Sequence, residues 1–398
     1  MTESPRPPWV TEVLQPASIP ELADCVRKHN TGAIFPIGAG SWLDLGYRPF
    51  RTGVGISTLG LNRVVDYPHE ELTITVEAGI LISDLQRILA EKRQMLPFDC
   101  PHPHRATLGG LLATNTSGPR RLAYGTARDS VLGLDVIDAT GQRIHGGGRV
   151  VKNVAGYDLP KMHIGALGTL GLIVEATIKV RPMPEHRAEL SVGVPNDKLP
   201  QLLAAVRKSK LRPSAVEVED LGDNRDRVGL AFFFEGDKEA VEFQLKVAQQ
   251  LTNAWENRRF ECEGDDVARS LCGLMEPLML RFELCAKVSG RPTSVPELVG
   301  QLLAALPKDV CMLGHALNGV LWLFWDAGTL DMALKSTGTI GQLAAAFGCQ
   351  FSIPRCPDDW KRSLPIWGDP GPELHWMQRL RDALDPNHVL NPGRFVVE

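Results

Sequence analysis

No apolar run in the 398 residues approaches the roughly 20 that cross a bilayer, and the opening MTESPRPPWV has no apolar core of a signal peptide. The chain is therefore expected to stay in the cytosol. Charge of one sign is missing too: 43 Lys and Arg meet 47 Asp and Glu, and a net charge of −4 gives no general attraction to nucleic acid or anionic lipid. The eight cysteines (Cys25, Cys100, Cys262, Cys272, Cys285, Cys311, Cys349 and Cys356) come singly, without a C-x-x-C pair. Neither an iron–sulfur ligand set nor a zinc ribbon is expected, so electrons bound for an iron–sulfur centre would have to leave this chain. No G-x-G-x-x-G joins an early strand to a helix and no G-K-[ST] ends a glycine loop, which excludes a Rossmann or P-loop nucleotide site.

What is present is a packed globular chain, 43% hydrophobic and 23% charged, too long for one typical core. Ser18 with Glu21 forms a capping-box pattern for a helix that closes at Gly32, and Ser83 with Gln86 offers a second. The stretch LIVEATIKVR puts Val174, Ala176, Ile178 and Val180 on one strand face, and two strands meet near Thr140-Gly141. Past RPMPEHRAEL the glycine clusters stop, and a pattern of strand, helix, two strands and helix runs through twice, which predicts one antiparallel sheet backed by helices. The expected class is α+β, with a first domain over 1–185 split near 56, an antiparallel-sheet domain over 186–355, and a tail over 356–398 packing back on the first.

The chemistry is expected in the glycine-rich bends. In AIFPIGAGSWL the apolar run Ala33 to Phe35 is stopped by Pro36, and Gly38, Ala39, Gly40 and Ser41 follow. This is either a tight turn or a nest of backbone N–H groups that holds an anion. TLGGLLATNTSG brings Thr107 as a helix cap, Gly109 and Gly110 for close approach, and the small polar Thr114, Asn115, Thr116 and Ser117 before Gly118. HGGGRVVKNVAGYDL adds Gly146 to Gly148 and Gly156, and IGALGTLGLIV adds Gly165, Gly168 and Gly171. Four such bends at the edges of apolar elements point to backbone groups gathered around a large ligand, and a dinucleotide fits better than a small metabolite.

The ordered set PIGAGS, VEAGI, PHPHRATLGGLLATNTSG, YGTARDSVLGLDVI, KNVAGYDLPKMHIGALGTLGLI and LDPNHVLNPGRF resembles the FAD-binding fold of the vanillyl-alcohol oxidase family. It covers residues 18–185 and the last 30 or so, and within the family it is most like the smaller of the flavin-domain subunits of bacterial glycolate oxidase. The resemblance implies a two-subdomain FAD-binding domain, a cap domain, and partners in the form of a larger flavin subunit and an iron–sulfur subunit, through which the chain could sit peripherally on the inner membrane. It further implies that Gly38, Ala39, Gly40 and Ser41 donate N–H groups to the pyrophosphate. Thr107, Gly109, Gly110, Thr114, Asn115, Ser117 and Gly118 would line the pyrophosphate and flavin ring, and Gly168, Thr169, Gly171 and Ile173 the adenine side. Asn391 and Arg394 would close over the ring. The small-residue loop holds no His or Cys, so FAD is expected to be non-covalent.

Two departures from the family pattern bear on activity. Where hydroxy-acid oxidising members carry GHAGDGNLH and a later EHG, this chain has GHALNGVLW, with Asn318, Val320 and Trp322 in place of acid, amide and imidazole. Asn318-Gly319 between apolar strands is a type I′ hairpin signal, and His315 is left as the catalytic candidate. Leu167 replaces the acid of SEGTLG. His102 and His104 have no evident third ligand, so no metal is expected, and Trp322, Trp325, Trp360, Trp367 and Trp376 suit core or subunit interface. The implied function is FAD-dependent oxidation of glycolate, with D-lactate as another substrate, in an electron-relay or supporting role. The alternatives are a self-sufficient hydroxy-acid dehydrogenase and a silent assembly subunit.

Overall fold

The computed structural model describes residues 6–148, 160–220, 225–255, 257–261 and 275–396; Gly156, Cys262 and Cys272 lie outside them. The chain divides into two compact units, one of residues 1–117, 125–183 and 370–398, the other of 118–124 and 184–369. Among the described residues no helix is long and apolar enough to cross a membrane.

The first unit opens with β1 (Val10–Leu14), β2 (Ala33–Ile37) and β3 (Gly53–Ser57), a parallel sheet in the order β1-β3-β2. Parallel strands need a crossover, and the helix Ile19–His29 supplies it between β1 and β2. Half of the expected capping box is present: Ser18 accepts from the N–H of Glu21, but the Glu21 carboxylate accepts from the N–H of Ala17, one residue before the cap, and not from that of Ser18. Pro36 does not stop β2, contrary to expectation. It lies inside a strand that ladders to β3, opposite Ile56, and its missing N–H leaves no donor unmet on the outer edge.

Antiparallel pairing follows in β4 (Val64–Asp66), β5 (Thr73–Glu77), the short β6 (Gln94–Met95), β7 (Val131–Ile137), β8 (Arg143–Gly147), β9 (Leu172–Lys179) and β10 (Arg181–Pro182). Five of these form a sheet in the order β4-β5-β9-β7-β8. Asp138 turns β7 into β8 by accepting from the N–H groups of Thr140 and Gln142, with Gly141 at φ +81°. Ile74, Val76, Ala176, Ile178 and Val180 enter a core shared with Leu85, Leu89, Leu108 and Leu111. The second expected capping box is absent. The helix starts at Ile82, so Ser83 lies inside it, and the N–H groups of Ile82 and Ser83 donate to the carbonyls of Ala106 and Pro103 instead.

The tail joins this unit at Pro370, later than the expected 356, because residues 356–369 stay with the second unit, where the N–H of Ile353 donates to the carbonyl of Ile366. After the helix Leu374–Leu384 the fully buried Asp385 carboxylate accepts from the N–H groups of Val389 and Leu390, at 3.0 and 2.8 Å. This turn lays the tail along β2, where Ile34 donates to Val389 and accepts from Asn391.

The second unit is built on β11 (His186–Pro195), β12 (Ala215–Asp220), β13 (Arg227–Gly236), β14 (Asn257–Glu261), β15 (Leu284–Ser289), β16 (Cys311–His315), β17 (Val320–Trp325) and β18 (Gln350–Arg355). All pairs are antiparallel, in the order β14-β11-β13-β12-β16-β17-β15-β18. Strand alternation makes two different faces. One is apolar, with Leu190, Phe232, Val216, Leu321 and Val288 in register, and helices pack there: Trp325 Nε1 donates to Ser336 on the helix Leu330–Ala346. The other face carries Glu217, Glu219, Glu235, His315, Trp322 and Lys287. The β16–β17 hairpin forms with a different turn from the expected type I′. Its loop is Ala316–Gly319, the N–H of Asn318 bonds back to the carbonyl of His315, and only Gly319 has positive φ, so a type I turn is followed by a left-handed glycine.

Candidate functional site

The first unit holds a cleft lined by three of the four glycine-rich bends and the tail. Of the residues singled out from sequence, it brings together Gly38, Ala39, Gly40, Ser41, Thr107, Gly109, Gly110, Thr114, Gly168, Gly171, Ile173, Asn391 and Arg394. Asn115, Ser117, Gly118 and Thr169 are not in its lining. Asn115 instead ends the helix Leu108–Thr114 in a left-handed conformation, φ 48°. Thr169 is spent on a turn, its N–H and hydroxyl both donating to Ala166, and Gly118 belongs to the second unit. Thr58, Ala113 and Leu167 line the cleft but carry no glycine signal.

The chemistry of the cleft is that of its backbone. The N–H groups of Gly38, Ala39, Gly40 and Ser41 follow one another after β2, and none donates to another group among the described residues. Four consecutive free donors form a nest for an anion. Thr107 caps the neighbouring helix, accepting at 3.1 Å from the N–H of Gly110. Close packing explains the glycines: a β-carbon on Gly38 would stand 2.3 Å from Thr107 Oγ1, and one on Gly109 2.9 Å from the β-carbon of Ala78.

The tail supplies polar groups. Asn391 donates from Nδ2 to the carbonyl of Leu167 at 2.5 Å, while its buried Oδ1 has no hydrogen-bond partner among the described residues. An orphaned acceptor at the cleft lining suits a ligand donor. Leu167 itself sits at φ 53°, a conformation that costs a branched side chain about 1 kcal/mol. The Arg394 guanidinium donates to the carbonyls of Leu43 and Leu45 and stacks on Trp9, so it braces the loop that follows the nest. His163 lies beside Gly171, and burial pushes its pKa down to about 4, which keeps its ring neutral.

His315 is in the second unit. It is buried at 2% exposure, and its Nδ1 donates to Glu217 at 2.7 Å. With Nδ1 protonated, Nε2 keeps its lone pair, and it has no partner among the described residues. Such a carboxylate-oriented imidazole can accept a proton. Sequence alone could not pair these two residues, which are 98 positions apart. Among the described residues no group of three His, Cys, Asp or Glu side chains is placed to hold a metal.

A nest of free N–H groups and an orphaned amide oxygen along one cleft fit FAD, and the chain is an FAD-dependent oxidoreductase. It belongs to the FAD-linked oxidases: residues 10–147 match the FAD binding domain family, and residues 370–395 match the C-terminal domain of FAD linked oxidases. The chain is 35% identical to the glycolate oxidase subunit GlcD of Bacillus subtilis (strain 168), over 91% of this chain and 83% of that protein. It is 30% identical to the glycolate oxidase subunit GlcE of Escherichia coli (strain K12), over 84% of this chain and 85% of that protein. Greater identity to GlcD means that the comparison does not single out GlcE, the type that the sequence resemblance had favoured. An alkyldihydroxyacetonephosphate synthase structure shares the fold, with a TM-score of 0.74 at 18% identity over 96% of this chain and 77% of that one.

Proposed function

We propose that this chain uses non-covalent FAD to oxidise a small 2-hydroxy acid, with glycolate as the first candidate, inside a complex containing a larger flavin subunit and an iron–sulfur subunit. The observation that carries the reading is the row of four unbonded N–H groups from Gly38 to Ser41 in a cleft with Thr107, Gly110 and Gly168. They would hold the pyrophosphate, Asn391 Oδ1 would accept from the cofactor, and Arg394 would keep the loop in place. Bound FAD supplies the two-electron acceptor. His315, oriented by Glu217, is the group able to take the substrate hydroxyl proton.

A relay or supporting role is favoured by a separate observation: Asn318, Val320 and Trp322 stand where the family pattern has acid, amide and imidazole. An anaerobic visible spectrum of the purified chain, before and after glycolate, separates the two. Flavin bands that bleach mean that this chain oxidises the substrate itself, and bands that persist fit a relay role. Absence of flavin bands after incubation with FAD would refute the cofactor site.

A further inference from the structure

We infer that the polar face of the eight-stranded sheet carries a carboxylate-binding subsite formed by Lys287, Arg121 and the Trp322 ring. This rests on the reading that the chain handles a 2-hydroxy acid, and it assigns the residues that would take the acid's carboxylate.

Charge matching on that face comes first. Glu235 is taken up by Arg187 at 3.1 Å, by Arg120 at 3.7 Å and by the Tyr124 hydroxyl at 3.0 Å. Glu217 is taken up by His315. Lys287 has no carboxylate within ion-pair distance and no hydrogen bond among the described residues. Its close partner is the Trp322 ring, which pairs with it in register across β15 and β17, the ammonium lying 5.3 Å from the ring centroid. An aromatic face attracts a cation but offers no lone pair to its three N–H donors. The ammonium therefore keeps its N–H donors for solvent or a ligand.

Arg121 adds a second cation. It belongs to the segment 118–124, which is fixed to the same unit at both ends: Asn318 Nδ2 donates to the carbonyl of Pro119 at 3.2 Å, and Arg120 and Tyr124 meet Glu235. Arg121 has no ion-pair or hydrogen-bond partner among the described residues. Burial, and after it the Arg121 guanidinium, hold the Lys287 ammonium below its ordinary range. Two partly buried cations thus share one neighbourhood without an anion. A carboxylate answers both, giving its planar oxygens to the guanidinium fork and the ammonium. On the same face His315 stands diagonally from Trp322, one strand over and two residues along, within reach of long side chains. Its free Nε2 is an acceptor for a hydroxyl next to that carboxylate.

The test is calorimetric titration of the FAD-loaded full chain with oxalate, a dicarboxylate with no C–H bond to oxidise, and separately with glycolate under anaerobic conditions. Lys287→Gln and Arg121→Gln should each weaken oxalate binding about tenfold or more, and Lys287→Arg should retain it, with flavin absorbance and melting temperature unchanged. The Arg121 variant carries the test if Lys287→Gln does not fold. Wild-type affinity in both Gln variants would overturn the subsite and leave the hydroxy-acid reading standing. A wild-type chain that binds neither probe would overturn both. Oxalate binding that is lost in the variants, without any glycolate binding, would keep the subsite and remove the hydroxy-acid reading.

Discussion

A methyl group on Gly38 tests whether the nest and the helix cap beside it are one mechanical unit. The β-carbon would stand 2.3 Å from Thr107 Oγ1, about 0.7 Å inside the 3.0 Å that such contacts essentially never breach. Thr107 is 1% exposed, and its hydroxyl is held by the N–H of Gly110, so it cannot swing aside without uncapping its helix. Loss of that cap costs about 1 kcal/mol, and overpacking costs about 1–3 kcal/mol more, so Gly38→Ala should lose roughly 2–4 kcal/mol in total and weaken FAD binding. Thr107→Ala alone should lose only the cap. In the double variant the nearest remaining Thr107-derived atom is the β-carbon, 3.4 Å away, an ordinary contact. The methyl should then be nearly silent, which gives a coupling of about 2–4 kcal/mol. Thr107→Val keeps an atom where Oγ1 was and should give no rescue. Urea unfolding of the FAD-free chain and fluorescence titration with FAD measure both quantities. An equal cost of Gly38→Ala in the wild-type and T107A backgrounds would refute the reasoning.

Two further outcomes follow from buried groups in the first unit. Asp385→Ala strands the N–H groups of Val389 and Leu390 and should cost about 2–4 kcal/mol, seen as faster tryptic release of the tail and loss of FAD, since the same turn presents Asn391. His163 is held neutral in the folded chain at a pKa of about 4, against an unfolded value near 6.5, so the unfolded state binds more protons between those pH values. Stability should therefore be complete above pH 6.5 and fall by up to about 3 kcal/mol towards pH 4, and His163→Gln should flatten that slope in urea melts taken across the range.

Local chemistry made part of this molecule readable. Ser18 and Glu21 cap a helix through side chains three residues apart, and Asp138 closes its turn within five residues. Ser83 shows the same pattern and fails, because Ala106 and Pro103 bring carbonyls to the helix start from across the fold. Pro36 fails as a stop for a similar reason: whether a missing N–H matters depends on which strand edge it faces, and that is settled by pairing. In the cleft, glycines flagged the nest and Gly168, whereas Thr58 and Leu167 are placed by strand pairing and a left-handed turn that no residue type announces.

The polar face of the second sheet shows the same limit and what lies behind it. In VEVED and CAKVSG the alternating Glu217 and Lys287 read as the solvent side of a strand, yet Glu217 and Trp322 are buried and Lys287 is partly so. Polar side chains kept inside a strand interior have to be matched, and on this face Glu235 and Glu217 are. Lys287, Arg121 and Glu219 have no such partner among the described residues, and Lys287 lies where the family pattern departs. The position that carries imidazole in that pattern is Trp322, and its cross-strand neighbour is an ammonium, 5.3 Å from the ring. The two cations beside that ring repel a metal ion and attract an anion. The altered hairpin thus stands beside the cations of the proposed subsite, and loss of oxalate binding in Lys287→Gln and Arg121→Gln would show that this face takes an anion.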